Sequence, residues 1–210
     1  MPSLPPLVRL ESGKKKLAAI RDELIALHRQ QKDIEQVVHA TAERMDQLLL
    51  DAWNTHFEDQ VDVTLVAVGG YGRRELNIHS DIDLLFLHEF EQPVEQALEE
   101  AGVTTFIQFL WDIGLEVGQS VRTLAECREQ ASQDITIMTN LLESRHLAGD
   151  KARYRLFNEQ IREHSTWTNK SFYKAKYGEQ VERHERFDET TYKLEPNIKK
   201  SPGGLRDTQT

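Results

Sequence analysis

Cysteine is almost missing from this chain: Cys127 stands alone among 210 residues. No intrachain disulfide can form, and a reducing compartment is the default. No apolar run approaches the ~20 residues that cross a bilayer, and Met1-Pro2-Ser3-Leu4-Pro5-Pro6 lacks the charged-then-apolar layout of a signal peptide. These absences predict a cytoplasmic protein with no membrane partner. Excess positive charge is missing too, since 26 Lys and Arg face 35 Asp and Glu, for a net charge of −9. Polynucleotide binders carry a basic stripe that meets phosphates. Here Lys14-Lys15-Lys16, Arg73-Arg74 and Lys199-Lys200 are short clusters that read as solvated surface, so nucleic acid is not expected as a partner. The eight histidines fall at no metal-ligating spacing, which argues against a zinc hydrolase. Gly69-Gly70-Tyr71-Gly72 has no Gly-Lys-Ser/Thr after it, so the phosphate loop of P-loop enzymes is excluded.

What is present is a chain long enough to bury roughly 70% of its unfolded surface without a staple. The first eleven residues read as a flexible, proline-rich tail. From Ser12, Leu17, Ile20, Leu24 and Leu27 recur at helical steps, and the pattern continues through Val37, Met45 and Leu49 to Trp53. This predicts one long helix, or two with a polar joint near Gln30-Gln31. Residues 61–68 are rich in β-branched side chains and end in Gly69-Gly70, which predicts a strand and a turn. Asp81 to His88 forms a second strand, Gln92 to Trp111 a helix, and Leu115 to Thr123 a third strand. Beyond Leu124 every periodic segment reads as helical: 135–147, 151–164 and 169–189. Cys127 reads as a small packing residue near a helix start. Residues 192–210 read as loop, and the chain stops without a helix stop signal, as a cut end would. The expected fold is α+β: a small mixed β-sheet flanked by helices, with an N-terminal helix and a C-terminal helical region. The expected division is 1–57, 58–130 and 131–210.

The chemistry concentrates between residues 65 and 87. An apolar strand, Gly69-Gly70, ten residues and then Asp81-Ile82-Asp83 follow one another, the last inside an apolar strand. Strand side chains alternate faces, so Asp81 and Asp83 point the same way. Two such carboxylates repel unless a cation lies between them, and glycines let backbone amides approach an anion. A divalent metal with a polyphosphate satisfies both, which is the arrangement nucleotidyl transfer needs. Gly69, Gly70 and Ser80 are then candidate phosphate contacts, with Arg73 and Arg74 where a triphosphate would approach. Glu116 is the best candidate for a third carboxylate, the alternative being a surface glutamate on an edge strand. Arg122 reads equally as a phosphate contact or as a partner for a carboxylate. His79 reads as a solvent-facing loop residue.

These residues resemble the nucleotidyltransferase superfamily, whose signature is Gly-Gly or Gly-Ser followed by Asp-x-Asp. The likeness extends to Trp111-Asp112, 115–118, 120–123, 140–145, 194–199 and Ser201-Pro202-Gly203-Gly204-Leu205-Arg206-Asp207, which look like the amino-terminal region of bifunctional PII uridylyltransferase/uridylyl-removing enzymes. The resemblance implies transfer of UMP from UTP to a tyrosine of the PII nitrogen-signalling protein with Mg²⁺ or Mn²⁺. It implies Asp81, Asp83 and Glu116 as metal and catalytic residues. It also implies that uridylyl removal and glutamine sensing belong to parts this piece lacks. Two positions depart from the family pattern. Arg74 stands where Gly is common, and Asn77-Ile78-His79 replaces a proline-containing segment. An Arg at position 74 is strained if the backbone there needs φ > 0. The competing readings are an adenylyltransferase acting on glutamine synthetase and a non-catalytic nucleotide-binding regulatory module.

Overall fold

A computed structural model describes residues 6–30, 33–57, 62–89, 98–99, 101–163, 166–186, 197–199 and 201–208. Two helices come first, α1 (Pro6–Arg29) and α2 (Ile34–His56). Asp33 opens α2 by accepting a hydrogen bond from the Glu35 N–H at 3.2 Å, which satisfies one of the donors every helix start leaves unpaired. The long helical pattern is therefore two helices. The expected tail through residue 11 is corrected, because α1 already begins at Pro6. Proline suits a first turn, where its missing N–H has no partner to lose; residues 1–5 lie outside the described ones.

The sheet is built around β1 (Val63–Ala67) and β2 (Ile82–His88), antiparallel with Val63 opposite His88 and Ala67 opposite Leu84. Between them Gly69–Gly72 winds into a single helical turn, α3. Next come α4 (Val103–Asp112), preceded by Gly102 at φ 73°, and β3 (Val117–Arg122), parallel to β2. Most of the expected helix between Gln92 and Gly102 lies outside the described residues. The chain continues through α5 (Leu124–Gln133), α6 (Ile135–Leu142), β4 (Arg145–Gly149), α7 (Lys151–Glu163), α8 (Asn169–Glu185) and α9 (Leu205–Thr208). Strand order is β3-β2-β1-β4. The mixed α+β class is as expected, but the uniformly helical reading beyond Leu124 is corrected. The chain leaves α6 after Leu142, and Arg145–Gly149 pairs antiparallel with the open edge of β1. Five residues with a mixed burial pattern carry too short a period to read as a strand; the unpaired edge of β1 supplies the hydrogen bonds that make it one.

Both sheet faces are covered. Ile82, Leu84 and Phe86 of β2 face α1, α2 and α4 with Leu17, Met45, Leu49, Trp53 and Phe106. Leu85 and Leu87, with Val66 and Val68, face α5, α6 and α7 through Leu124, Cys127, Met138, Leu141 and Phe157. Burial on both faces explains why β1 and β2 read as continuous apolar runs instead of alternating ones. Cys127 is fully buried, and burial pushes its thiol up to about 12, so it is a packing residue and an inert one. Among the described residues no helix is long and apolar enough to cross a membrane.

Candidate active site

The β2 alternation decides where the two aspartates point. Ile82 is 1% exposed and sits in the core, so its neighbours Asp81 and Asp83 point to the other face, on the side of Leu85 and Leu87. Both lie at the open end of the sheet, Asp81 just ahead of β2 and Asp83 inside it. The parallel register sets Gly118 of β3 opposite Asp83. A Cβ on Gly118 would stand 2.5 Å from Asp83 Oδ1, so glycine is what leaves room for the carboxylate. On the other side Gly69, at φ 59°, lies where an added Cβ would be 3.7 Å from Asp83 Oδ2 and 3.4 Å from Asn140 Oδ1. Asp83 thus occupies a slot between two glycines, with the side chain of α6's Asn140 at its rim. Burial, and then the charge of Asp81, hold the Asp83 carboxyl above its ordinary range, while Lys199 and Arg206 pull it down. Repulsion relieved by cations is the electrostatic mark of a site for a cation.

The other predicted residues fall in different places. Glu116 precedes β3, and its carbonyl accepts the Ile82 N–H at 2.9 Å, which ties its main chain to the first residue of β2. Its side chain is exposed. Among the described residues no three His, Cys, Asp or Glu side chains group closely enough to hold a metal ion; the register sets Val117 opposite Ile82 and Gly118 opposite Asp83, so Glu116 stands just ahead of β3 as Asp81 stands just ahead of β2. Ser80 is half-buried in a turn, its N–H on the Asn77 carbonyl at 3.1 Å. Ser80, His79, Arg21, Thr41 and Glu116 also line a hollow of ≈ 60 Å³ under α1, the scale of a few waters. Gly69 is buried and Gly70 half-buried within α3. Arg73 is held by carboxylates, with Nε on Glu75 Oε2 at 3.0 Å and Nη1 on Glu143. Arg122 sits opposite Leu87, four residues along β3 from Gly118. That is roughly 13 Å at strand rise, and its charge acts on Glu126 and Cys127. The structure does not bring Arg122 to the aspartate pair.

Arg74 has φ 65°, the one positive-φ residue other than glycine among those described. The conformation that its departure from the family pattern put at issue is therefore the one it adopts. Arg74→Gly is expected to raise stability by about 1 kcal/mol, or about 2–4 °C in Tm by calorimetry.

Sequence reasoning missed the clamp behind α3. The Tyr71 hydroxyl donates to Asp46 Oδ1 at 2.6 Å. Arg145 donates from Nη1 to Asp46 Oδ2 at 2.7 Å and from Nη2 to Oδ1 at 3.0 Å. The same Nη2 reaches the Tyr71 carbonyl at 3.2 Å, Nε reaches the Gly72 carbonyl at 3.4 Å, and the guanidinium lies 5.3 Å from the centre of the Tyr71 ring. Burial, and then Asp46, push the Tyr71 hydroxyl well above its usual range. Asp46, Tyr71 and Arg145 come from α2, α3 and β4, separated by 25 and 99 residues from Asp46. No local spacing announces such a set. Asn140, at the rim of the Asp83 slot, was missed for the same reason.

A strand, a glycine turn and an antiparallel strand that opens with two same-face aspartates, beside a parallel third strand, define a nucleotidyltransferase-type domain. The sequence comparisons are more specific. The chain is 46% identical over 204 residues to the bifunctional uridylyltransferase/uridylyl-removing enzyme of Azotobacter vinelandii (strain DJ), covering 94% of this chain and 22% of that protein. It is 50% identical over 163 residues to the enzyme of the same name from Haemophilus influenzae (strain 86-028NP), covering 77% of this chain and 18% of that one. The chain is thus a homologue, along most of its length, of a segment of the bifunctional uridylyltransferase/uridylyl-removing enzymes, and it spans 22% and 18% of these two. Residues 171–210 match the family described as GlnD PII-uridylyltransferase, and residues 12–112 match the glutamate-ammonia ligase adenylyltransferase family. A solved toxin–antitoxin structure with AMP-PNP aligns at a TM-score of 0.34 and 14% identity, over 69% of this chain and 96% of that one.

Proposed function

We propose that the chain transfers UMP from UTP to a tyrosine of a PII signalling protein, with Mg²⁺ or Mn²⁺ at Asp81 and Asp83. The observation that carries the reading is the same-face aspartate pair, with Asp83 slotted between Gly69 and Gly118. The relatives' names support uridylyl transfer as the activity. Two hard oxygen donors on one rigid strand suit Mg²⁺, which binds through one or two carboxylates and leaves its other positions to phosphates and water. When bound, such an ion neutralises developing charge on the phosphates. In the reaction the tyrosyl oxygen bonds to the α-phosphorus, the bond from that phosphorus to the bridging oxygen breaks, pyrophosphate leaves and the hydroxyl proton goes to solvent. A protein acceptor suits a chain of net charge −9 better than a polynucleotide does.

A second reading has an observation of its own. The match to the adenylyltransferase family covers residues 12–112, both aspartates included, which favours AMP transfer to glutamine synthetase. Incubating the chain with Mg²⁺, labelled UTP or ATP, and either purified acceptor separates the two. Label from UTP in PII is the expected outcome. Label from ATP in glutamine synthetase would replace uridylyl with adenylyl transfer.

A further inference from the structure

Helix α6 lies along the glycine turn, and its position there is fixed from both ends. At its start Asp134 accepts from the Thr136 N–H at 2.6 Å and from the Ile137 N–H at 3.2 Å. Met138 and Leu141 then bury one side of the helix in the core with Leu85 and Leu87. At its far end Glu143 holds Arg73 Nη1, and a Cβ on Gly72 would run into the Glu143 carbonyl. That close approach is what requires glycine at position 72.

Residues three apart share one stripe of a helix, so Asn140 lies on the stripe of Glu143. Glu143 meets the turn at Gly72 and Arg73, and Asn140 meets it at Gly69. A single point, the place of a Cβ on Gly69, is 3.4 Å from Asn140 Oδ1 and 3.7 Å from Asp83 Oδ2. The amide and the carboxylate therefore border the same space. Asn140 is exposed, and among the described residues its side chain has no hydrogen-bond partner. The fold makes no use of this amide, which can turn either its oxygen or its N–H groups into the slot.

The chemistry of the side chain suits that place. A carboxylate at position 140 would repel phosphate, and a lysine or arginine there would pair with Asp83 in competition with a divalent ion. A neutral amide does neither, and it can donate to a phosphate oxygen in a charge-assisted bond. Arg73, the basic side chain nearest in sequence to the glycine turn, is taken up by Glu75 and Glu143. We propose that Asn140 is a nucleotide-binding residue, its Nδ2 donating to a phosphate oxygen of the nucleoside triphosphate beside Gly69. The inference rests on the nucleotidyl-transfer reading above. It gives a role to the 140–145 stretch, which the family likeness had marked without one.

Calorimetric titration of UTP in Mg²⁺, and of Mn²⁺ without nucleotide, tests it with the unmodified chain, Asn140→Ala and Asn140→Asp. Position 140 is exposed, so alanine opens no cavity, and unchanged melting checks that the fold is kept. Asn140→Ala is expected to weaken UTP binding roughly ten- to a hundredfold, the size of a hydrogen bond to a charged group. Its Mn²⁺ affinity is expected to hold. Asn140→Asp keeps the shape but adds a negative charge, and should weaken UTP at least as much. UTP binding unchanged in either variant would overturn the contact and leave the transfer reading standing. Equal losses of UTP and Mn²⁺ affinity in Asn140→Ala would also overturn it, by making Oδ1 an ion ligand. An unmodified chain that binds no UTP or ATP in Mg²⁺ would overturn the transfer reading itself, and the contact with it.

Discussion

Asp83→Asn is expected to remove UMP transfer while leaving the fold intact. The substitution keeps the shape of the side chain and its place between Gly69 and Gly118, but it removes the charge that would hold a divalent ion beside the α-phosphate. A loss on the order of a thousandfold or more is expected, about 4 kcal/mol or more of barrier. It is read as labelled UMP on the acceptor under saturating UTP and Mg²⁺. Stability should move the other way. Burial and the charge of Asp81 raise the Asp83 carboxyl in the folded state. A raised acid favours the folded state at low pH and loses that contribution as pH rises through the folded value. At neutral pH the ionised group is therefore a cost, and Asp83→Asn should melt no lower than the unmodified chain. Its advantage should shrink as the pH falls below the usual carboxylate range. Transfer at the unmodified rate would remove Asp83 from the catalytic role. A large fall in Tm would show a structural one.

Arg145→Ala carries the largest expected stability change. From strand β4 its guanidinium reaches Asp46 of α2 and the Tyr71 and Gly72 carbonyls of α3 through four hydrogen bonds between 2.7 and 3.4 Å, counting both carboxylate oxygens. The two side chains are 19% and 16% exposed. Removing one partner of such a pair leaves Asp46 charged and short of donors. The cost is about 3 kcal/mol, or roughly 6–12 °C in Tm for a chain of this size. Arg145→Lys should recover only part of it, because an ammonium cannot make the two-pronged contact with Asp46. Because α3 carries Gly69 at the edge of the Asp83 slot, the alanine variant should also lose transfer rate at temperatures where it remains folded. A thermal melt within a degree or two of the unmodified chain would show the clamp to be energetically idle.

The legible part of this molecule is the part written locally. β1, the glycine turn and β2 could be placed because burial on both faces makes the strands continuously apolar and glycine punctuates them. Asp81 and Asp83 could be paired because period-two alternation is a rule about neighbours. The φ at Arg74 could be questioned because a single residue stood where glycine is usual. What escaped was whatever depends on distant segments meeting. β4 exists because β1 has an open edge, and the five residues that fill it resemble a helix end when read alone. The Asp46–Tyr71–Arg145 set is assembled by packing. Arg122 shows the opposite error, since a basic residue in a promising strand lies at the end of β3 away from the aspartates.

The edge position of β4 has a consequence for how the chain can be divided. A piece cut between α6 and β4 would keep the glycine turn, both aspartates and β3, and so would look catalytically complete on paper. It would nevertheless expose the hydrogen-bonding edge of β1 and delete Arg145, leaving Asp46 and the Tyr71 hydroxyl without their cation. Open strand edges recruit other chains, so such a piece is expected to aggregate where one that keeps both β4 and α7 stays dispersed. Light scattering of the two lengths at matched concentration reads the difference directly.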